Sequence, residues 1–146
     1  MDNLTEPFVE LIRRAATDLP SDVEAALRAA RDREASGSAA EGALNTILEN
    51  VAIARQNETP ICHDTGVPIF TVHVPRAGQE GCVSTQDLRD EIEAAVVRAT
   101  EQAYLRPNAV DPATGRNSGN NLGNGFPSFH FREWDEDYLR ADLLLK

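Results

Sequence analysis

The sequence predicts an α+β fold: N-terminal helices, then strands, a long helix and a C-terminal hairpin, in one domain covering residues 1–146. Three observations carry this reading. Apolar residues recur with helical spacing through the first part of the chain. Pro68 to Val74 alternates and is rich in β-branched and aromatic side chains, as strands are. A second strongly helical stretch then gives way to a long Asn- and Gly-rich loop and two more alternating runs.

Taken in order, Thr5 reads as the cap of a first helix with Pro7 in its opening turn. Phe8, Leu11, Ile12, Ala15 and Ala16 form its apolar stripe, and Pro20 ends it. Ser21 to Glu24 has the form of a capping box, opening a second helix to about Glu34. Ser36-Gly37-Ser38 is a loop. A third helix is expected from about Ala40 to Gln56, with Leu44, Ile47, Leu48 and Val51 as its buried stripe. Asn57 to Pro60 turns the chain towards Cys62, and His73 in the following strand reads as an exposed or hydrogen-bonded sheet residue. Gly78 to Ser84 is a loop. Thr85 is expected to cap a helix to about Tyr104, with Leu88, Ile92, Ala95, Val96 and Ala99 on one side. Arg106 projects from its end and Pro107 stops it. Asn108 to Pro127 forms a long loop, the kind that in compact domains usually has a function. Its Gly119 to Gly125 run lacks both G-K-[ST] and a preceding strand, so it does not read as a nucleotide loop. Ser128–Arg132 and Tyr138–Leu145 are expected to pair around a solvated acidic turn, Glu133 to Asp137.

Composition bounds the function. A chain of 146 residues with 41% hydrophobic residues can bury a real core. The net charge is −10, and of 14 basic residues only Lys146 is lysine. That balance argues against nucleic acid or an anionic membrane as partner, since both call for a basic face. It also means that an anionic substrate needs local arginines. No apolar run reaches membrane-span length, and MDNLTEPF lacks a basic region followed by an apolar one, so a cytoplasmic, soluble protein is expected. The two cysteines then read as thiols or ligands rather than a disulfide.

The stretch Pro60 to Ile69, PICHDTGVPI, concentrates the chemistry. A lone cysteine is most often a small buried hydrophobe. A triad of Cys62, His63 and Asp64 fails on geometry, because neighbours in an extended segment point to alternating faces. A structural zinc site fails on ligand spacing, because the two cysteines and three histidines show no pair spacing such as C-x2-C. A single thiolate contributed to a shared metal cluster survives both objections. Cys82, between Gly81 and Val83, reads as a free thiol.

PICHDTG resembles the P-x-C-Q-D-T-G signature of the iron–sulfur hydro-lyases, the class I fumarate hydratases and their tartrate dehydratase relatives. The likeness continues through Leu105-Arg-Pro-Asn-Ala-Val-Asp111 and through Arg116-Asn-Ser-Gly-Asn-Asn121, which is similar to a family segment ending in N-T-G-x-N. Leu143-Leu-Leu-Lys146 resembles the strand that leads into a K-G-G-G motif. The likeness runs from about Leu4 to Lys146 and covers only the N-terminal part of the family's catalytic region. His63 departs from the pattern, standing where Gln is usual. The short gap after Phe70 is closer to the two-subunit versions.

The resemblance implies a reaction and a site. Cys62 matches the first of three cysteines that hold a [4Fe-4S] cluster, and the other two are expected outside this chain. Asp64 and His63 match residues that contact substrate beside the cluster. Histidine in place of glutamine brings a group that titrates near neutrality. Arg106 matches an arginine that binds a substrate carboxylate, and Asn117, Ser118 and Gly119 match positions lining the pocket, with Arg116 a second candidate cation. The implied activity is reversible hydration of fumarate to malate, with a tartrate dehydratase alpha segment as the alternative in the same class. A non-catalytic assembly domain is the alternative outside it. The expected partners are a small dicarboxylate and the missing C-terminal part or a beta subunit, in a homo- or hetero-oligomer, with the isolated fragment inactive.

Overall fold

The computed structural model describes residues 3–62, 66–77 and 83–146. Among them the elements run α1 (Thr5–Thr17), α2 (Ser21–Arg31), α3 (Ala39–Asn57), β1 (Pro68–Pro75), α4 (Thr85–Glu101), β2 (Ser128–Trp134) and β3 (Arg140–Leu145). The α+β class expected from sequence holds, and every expected helix and strand is present to within a few residues.

The strand pairing differs from expectation. The sheet order is β2-β1-β3, with β1 parallel to β2 and antiparallel to β3. The C-terminal strands therefore do not form a hairpin, because β1 lies between them. The physical reason is in their side chains. β1 offers Phe70, Val72 and Val74 to the core, all nearly or fully buried, and takes the central place. β2 carries Arg132 and Glu133, and β3 carries Arg140 and Asp142, charges that suit edge strands. Parallel pairing of β1 with β2 needs a long crossover, and α4 supplies it. The acidic connector then arches past the far end of β1, where Trp134 Nε1 donates to the Tyr138 carbonyl at 2.9 Å. There Arg76 pairs with Asp135 at 3.2 Å, and the His73 ring lies 5.1 Å from that of Trp134.

One core joins the layers. Phe8, Val9 and Ile12 of α1 and Leu88, Ile92, Ala95, Val96 and Ala99 of α4 close over Phe70, Val72 and Val74. Full burial of each larger side chain contributes about 1.5–3 kcal/mol. Phe8 meets Phe70 edge-on at 6.1 Å, and Arg89 lies 4.3 Å over the ring of Phe129.

Several helix details depart from the sequence reading. Leu4, not Thr5, is the N-cap residue of α1; the Asn3 side chain accepts from the Thr5 amide at 3.0 Å, while the Thr5 hydroxyl donates to Glu91. The Ser21–Glu24 box does not form; Glu24 instead pairs with Arg28 at 2.5 Å and Arg55 at 2.6 Å. In α3, Leu48, Val51 and Ala54 are buried, whereas Ile47 is 45% exposed. α3 packs chiefly on α2 and touches α1 only lightly, so its apolar stripe is only partly covered. Ser84, not Thr85, caps α4. No helix among the described residues is long and apolar enough to cross a membrane.

Candidate functional site

The topology gathers the sequence-marked segments at one edge of the sheet. In register, Ile69 of β1 faces Ser128 of β2, and Pro68 faces Leu145 of β3. The segment entering β1, the loop entering β2 and the end of β3 therefore meet at the amino-terminal edge of the parallel pair. The acidic connector lies at the opposite edge, roughly 20 Å away for strands of this length.

The chain reaches Cys62 from α3. Glu58 takes a left-handed conformation (φ 53°) and ends the helix, with the Thr59 amide bonding back to the Ala54 carbonyl at 3.1 Å. Ile61 is then held twice: its amide donates to the Ala16 carbonyl of α1 at 2.9 Å, and its carbonyl accepts from Asn50 Nδ2 at 2.9 Å. The next residue, Cys62, is a free and exposed thiol. On the other side of the signature, Val67 exchanges backbone hydrogen bonds with Lys146. His63, Asp64 and Cys82 lie outside the described residues.

Arg106 is not at the helix end, as the sequence suggested. α4 stops at Glu101, and Ala103 turns left-handed (φ 62°). The Tyr104 amide then reaches back to the Ala99 carbonyl at 2.9 Å and that of Ala103 to Thr100 at 3.1 Å, a Schellman arrangement. Leu105, 2% exposed, drops into the core. Arg106 follows as an exposed residue, five positions past the end of α4.

The loop after Arg106 folds back on itself. Asp111 and Arg116 close its tip, with the Asp111 amide donating to the Arg116 carbonyl at 2.9 Å. Asp111 Oδ1 accepts from the amides of Ala113 and Thr114, both at 2.8 Å. Those amides and the Thr114 hydroxyl hold the Asp111 carboxyl below the ordinary aspartate range, the Thr114 contacts contributing most. A groove of 480 Å³ opens along the loop, with Asp111, Arg116, Asn117, Ser118 and Phe126 on its walls. Asn117, Ser118 and Arg116 are thus brought together, while Gly119, Cys62 and Arg106 do not line this groove. Both ends of the Asn117 amide are engaged with backbone: Nδ2 donates to the Pro107 carbonyl at 2.8 Å and Oδ1 accepts from Gly119 at 2.8 Å. Asn117 therefore supports the Arg106 segment from below.

Sequence reasoning missed Asn121. It is 1% exposed and left-handed (φ 59°), and its amide joins α4 to the Arg106 segment. Its one signal was position, as the final Asn of the N-S-G-N-N run. A polar residue in a Gly- and Asn-rich loop otherwise reads as solvated.

The donor set for a metal is short. Among the described residues no group of three or more His, Cys, Asp or Glu side chains could hold a metal ion. The exposed Cys62 thiol could supply one ligand to an iron–sulfur cluster, but the described donors do not complete one.

Residues 5–146 match the family model described as Fumarate hydratase (Fumerase). A Geobacillus stearothermophilus protein named "Putative fumarate hydratase class I" is 41% identical over all of this chain and 27% of its own length. The "Putative L(+)-tartrate dehydratase subunit alpha" of Methanocaldococcus jannaschii is 37% identical over 94% of this chain and 47% of its own. The L(+)-tartrate dehydratase subunit alpha of Escherichia coli K12 is 32% identical over 87% and 40%. The chain thus spans less than half the length of these relatives. On the match across nearly all of its residues, it belongs to the fumarate hydratase (Fumerase) family.

Proposed function

We propose that this chain is the N-terminal portion of the catalytic region of an iron–sulfur hydro-lyase, and that the assembled enzyme hydrates fumarate reversibly to malate. The observation that supports this reading is that the chain leaving the PICHDTG signature into β1, the loop that runs from Arg106 into β2, and the end of β3 come together at one edge of the sheet. Removing water from malate requires loss of a weakly acidic C–H proton and departure of hydroxide, a poor leaving group. Cys62, together with two cysteines from outside these residues, would hold a [4Fe-4S] cluster, which would supply Lewis acidity at the departing oxygen. The chain's own residues bind and orient. Arg106 takes a substrate carboxylate with its two-pronged guanidinium. His63 donates to the diacid, and the Asp64 carboxylate accepts from, or exchanges a proton with, the hydroxyl. A thiolate ligand also fits a reducing compartment, so the cytoplasm belongs to the same proposal.

A tartrate dehydratase alpha segment is the second reading, favoured by the names of the relatives at 37% and 32% identity. It would bring a beta subunit as partner. Both readings imply that the chain alone cannot complete the cluster, since the signature supplies one cysteine ligand.

The test is anaerobic reconstitution of the complete protein with iron and sulfide, followed by fumarate and L(+)-tartrate assays. Iron-dependent consumption of fumarate is the expected result. Turnover of tartrate alone would select the second reading, and turnover of neither would overturn both.

A further inference from the structure

Asn121 uses its whole hydrogen-bonding capacity on one stretch of chain and its support. Oδ1 accepts from the amides of Asn108 at 2.7 Å and Ala109 at 3.3 Å. Nδ2 donates to the Arg106 carbonyl and to Thr100 Oγ1, both at 3.0 Å. Thr100 Oγ1 in turn donates to the Val96 carbonyl at 2.7 Å, tying the clamp to the buried side of α4. An amide side chain has two donor hydrogens and two acceptor lone pairs, and all four are taken. Its orientation is fixed by chemistry, since a flipped amide would set NH2 against two N–H groups and oxygen against a carbonyl.

The clamped stretch is Arg106 to Ala109. Pro107 has no N–H to contribute, so the segment cannot be held by a regular backbone ladder. Asn121 binds it on both sides of the proline, and Asn117 binds the Pro107 carbonyl between.

We propose that Asn121 is a positioning residue for Arg106: it fixes the backbone from which the guanidinium reaches the substrate carboxylate. This rests on the assignment of Arg106 as carboxylate anchor. A side chain as long as arginine magnifies a small backbone shift, and a misplacement of about 1 Å can cost a hundredfold in rate.

The test is a double-mutant cycle in the complete, cluster-loaded protein, with fumarate kinetics and succinate affinity as readouts. Asn121→Asp is nearly isosteric and retains the acceptor bonds but loses both donors. Thr100→Val is a milder second variant that removes one partner and leaves Asn121, Arg106 and the loop in place. Asn121→Asp should weaken kcat/KM and succinate binding by about ten- to a hundredfold. Thr100→Val should do so in the same direction to a smaller extent. In an Arg106→Ala background each should cost less than about twofold further, because the group being positioned is gone. Equal fold-losses in both backgrounds would show a merely structural role and overturn the proposal. If Asn121→Asp does not fold, the Thr100→Val cycle decides by the same criterion, and absence of any effect there also overturns it. Normal kinetics for Arg106→Ala would instead remove the underlying assignment.

Discussion

Gly66 lies against the backbone of Lys146 with no room for a side chain. An ideal Cβ at Gly66 would sit 2.3 Å from both the carbonyl carbon and the carbonyl oxygen of Lys146, and Gly66 itself has φ +69°. The contact joins the end of the Cys62 signature to the end of β3, next to the two backbone hydrogen bonds between Val67 and Lys146. The glycine of the signature is thus required by close approach as well as by backbone conformation.

Gly66→Ala should destabilise the protein by about 2 to 4 kcal/mol, the sum of a left-handed alanine and displaced backbone. Gly37→Ala is the control. It has φ +80° with nothing within 4 Å of the added carbon, and should cost only about 1 kcal/mol. Denaturant unfolding of both variants measures the difference. Equal losses would mean that the Lys146 contact contributes nothing.

Cys62 and Cys82 should behave differently in the assembled enzyme. Cys62 is exposed beside a residue held by both α1 and α3, in the signature itself. Cys62→Ser should abolish the visible absorbance of the reconstituted cluster and all turnover. Cys82→Ser should leave the spectrum unchanged and activity within about twofold, because Cys82 lies outside the matched signature. Comparable loss of absorbance from both substitutions would refute the choice of Cys62.

The helices were legible because their apolar residues recur with the period of the helix, and α4 with Leu88, Ile92, Ala95, Val96 and Ala99 is the clearest case. The exposure of Ile47 was not legible, since it depends on which neighbour α3 packs against. Strand existence was legible and strand order was not. A short connector between β2 and β3 suggests a hairpin, but the more apolar β1 competes for the central place, and that contest is decided by distant contacts. Of the residues proposed for the site, Cys62 and Arg106 were marked by local motif. Asn121 was marked only by its place at the end of the N-S-G-N-N run, because its burial is created by Thr100 and by the 106–109 segment, both distant along the chain.

Asp111 should report on the loop through pH. Its carboxylate is held by the amide and hydroxyl of Thr114 and the amide of Ala113, which lowers its folded pKa below the ordinary aspartate range. The stabilisation of the loop is then fully present above the unfolded aspartate pKa and is lost as pH falls through the lower, folded value. In an NMR titration the Ala113 and Thr114 amide signals should hold their positions through the ordinary aspartate range and shift only below it. Asp111→Asn should remove that transition. A midpoint at or above the ordinary range would contradict the lowered pKa.

Arg106 should be the carboxylate anchor of the assembled enzyme. A dianion approaching a chain of net charge −10 needs a fixed cation at its site. Arg106 stands past the Schellman turn that ends α4, with Leu105 buried behind it and its carbonyl held by Asn121. The position supplies what a bidentate contact requires, a cation on a fixed backbone rather than on a frayed helix end. Lysine would keep the charge but lose the planar fork. Arg106→Lys should lower catalytic efficiency by about 2 to 3 kcal/mol, the scale of a hydrogen bond to a charged group. Arg106→Ala should cost more, and the cluster absorbance should stay unchanged in both. The steady-state kinetics of the complete enzyme with fumarate decide it: an alanine variant with normal kcat/KM would place Arg106 outside the site.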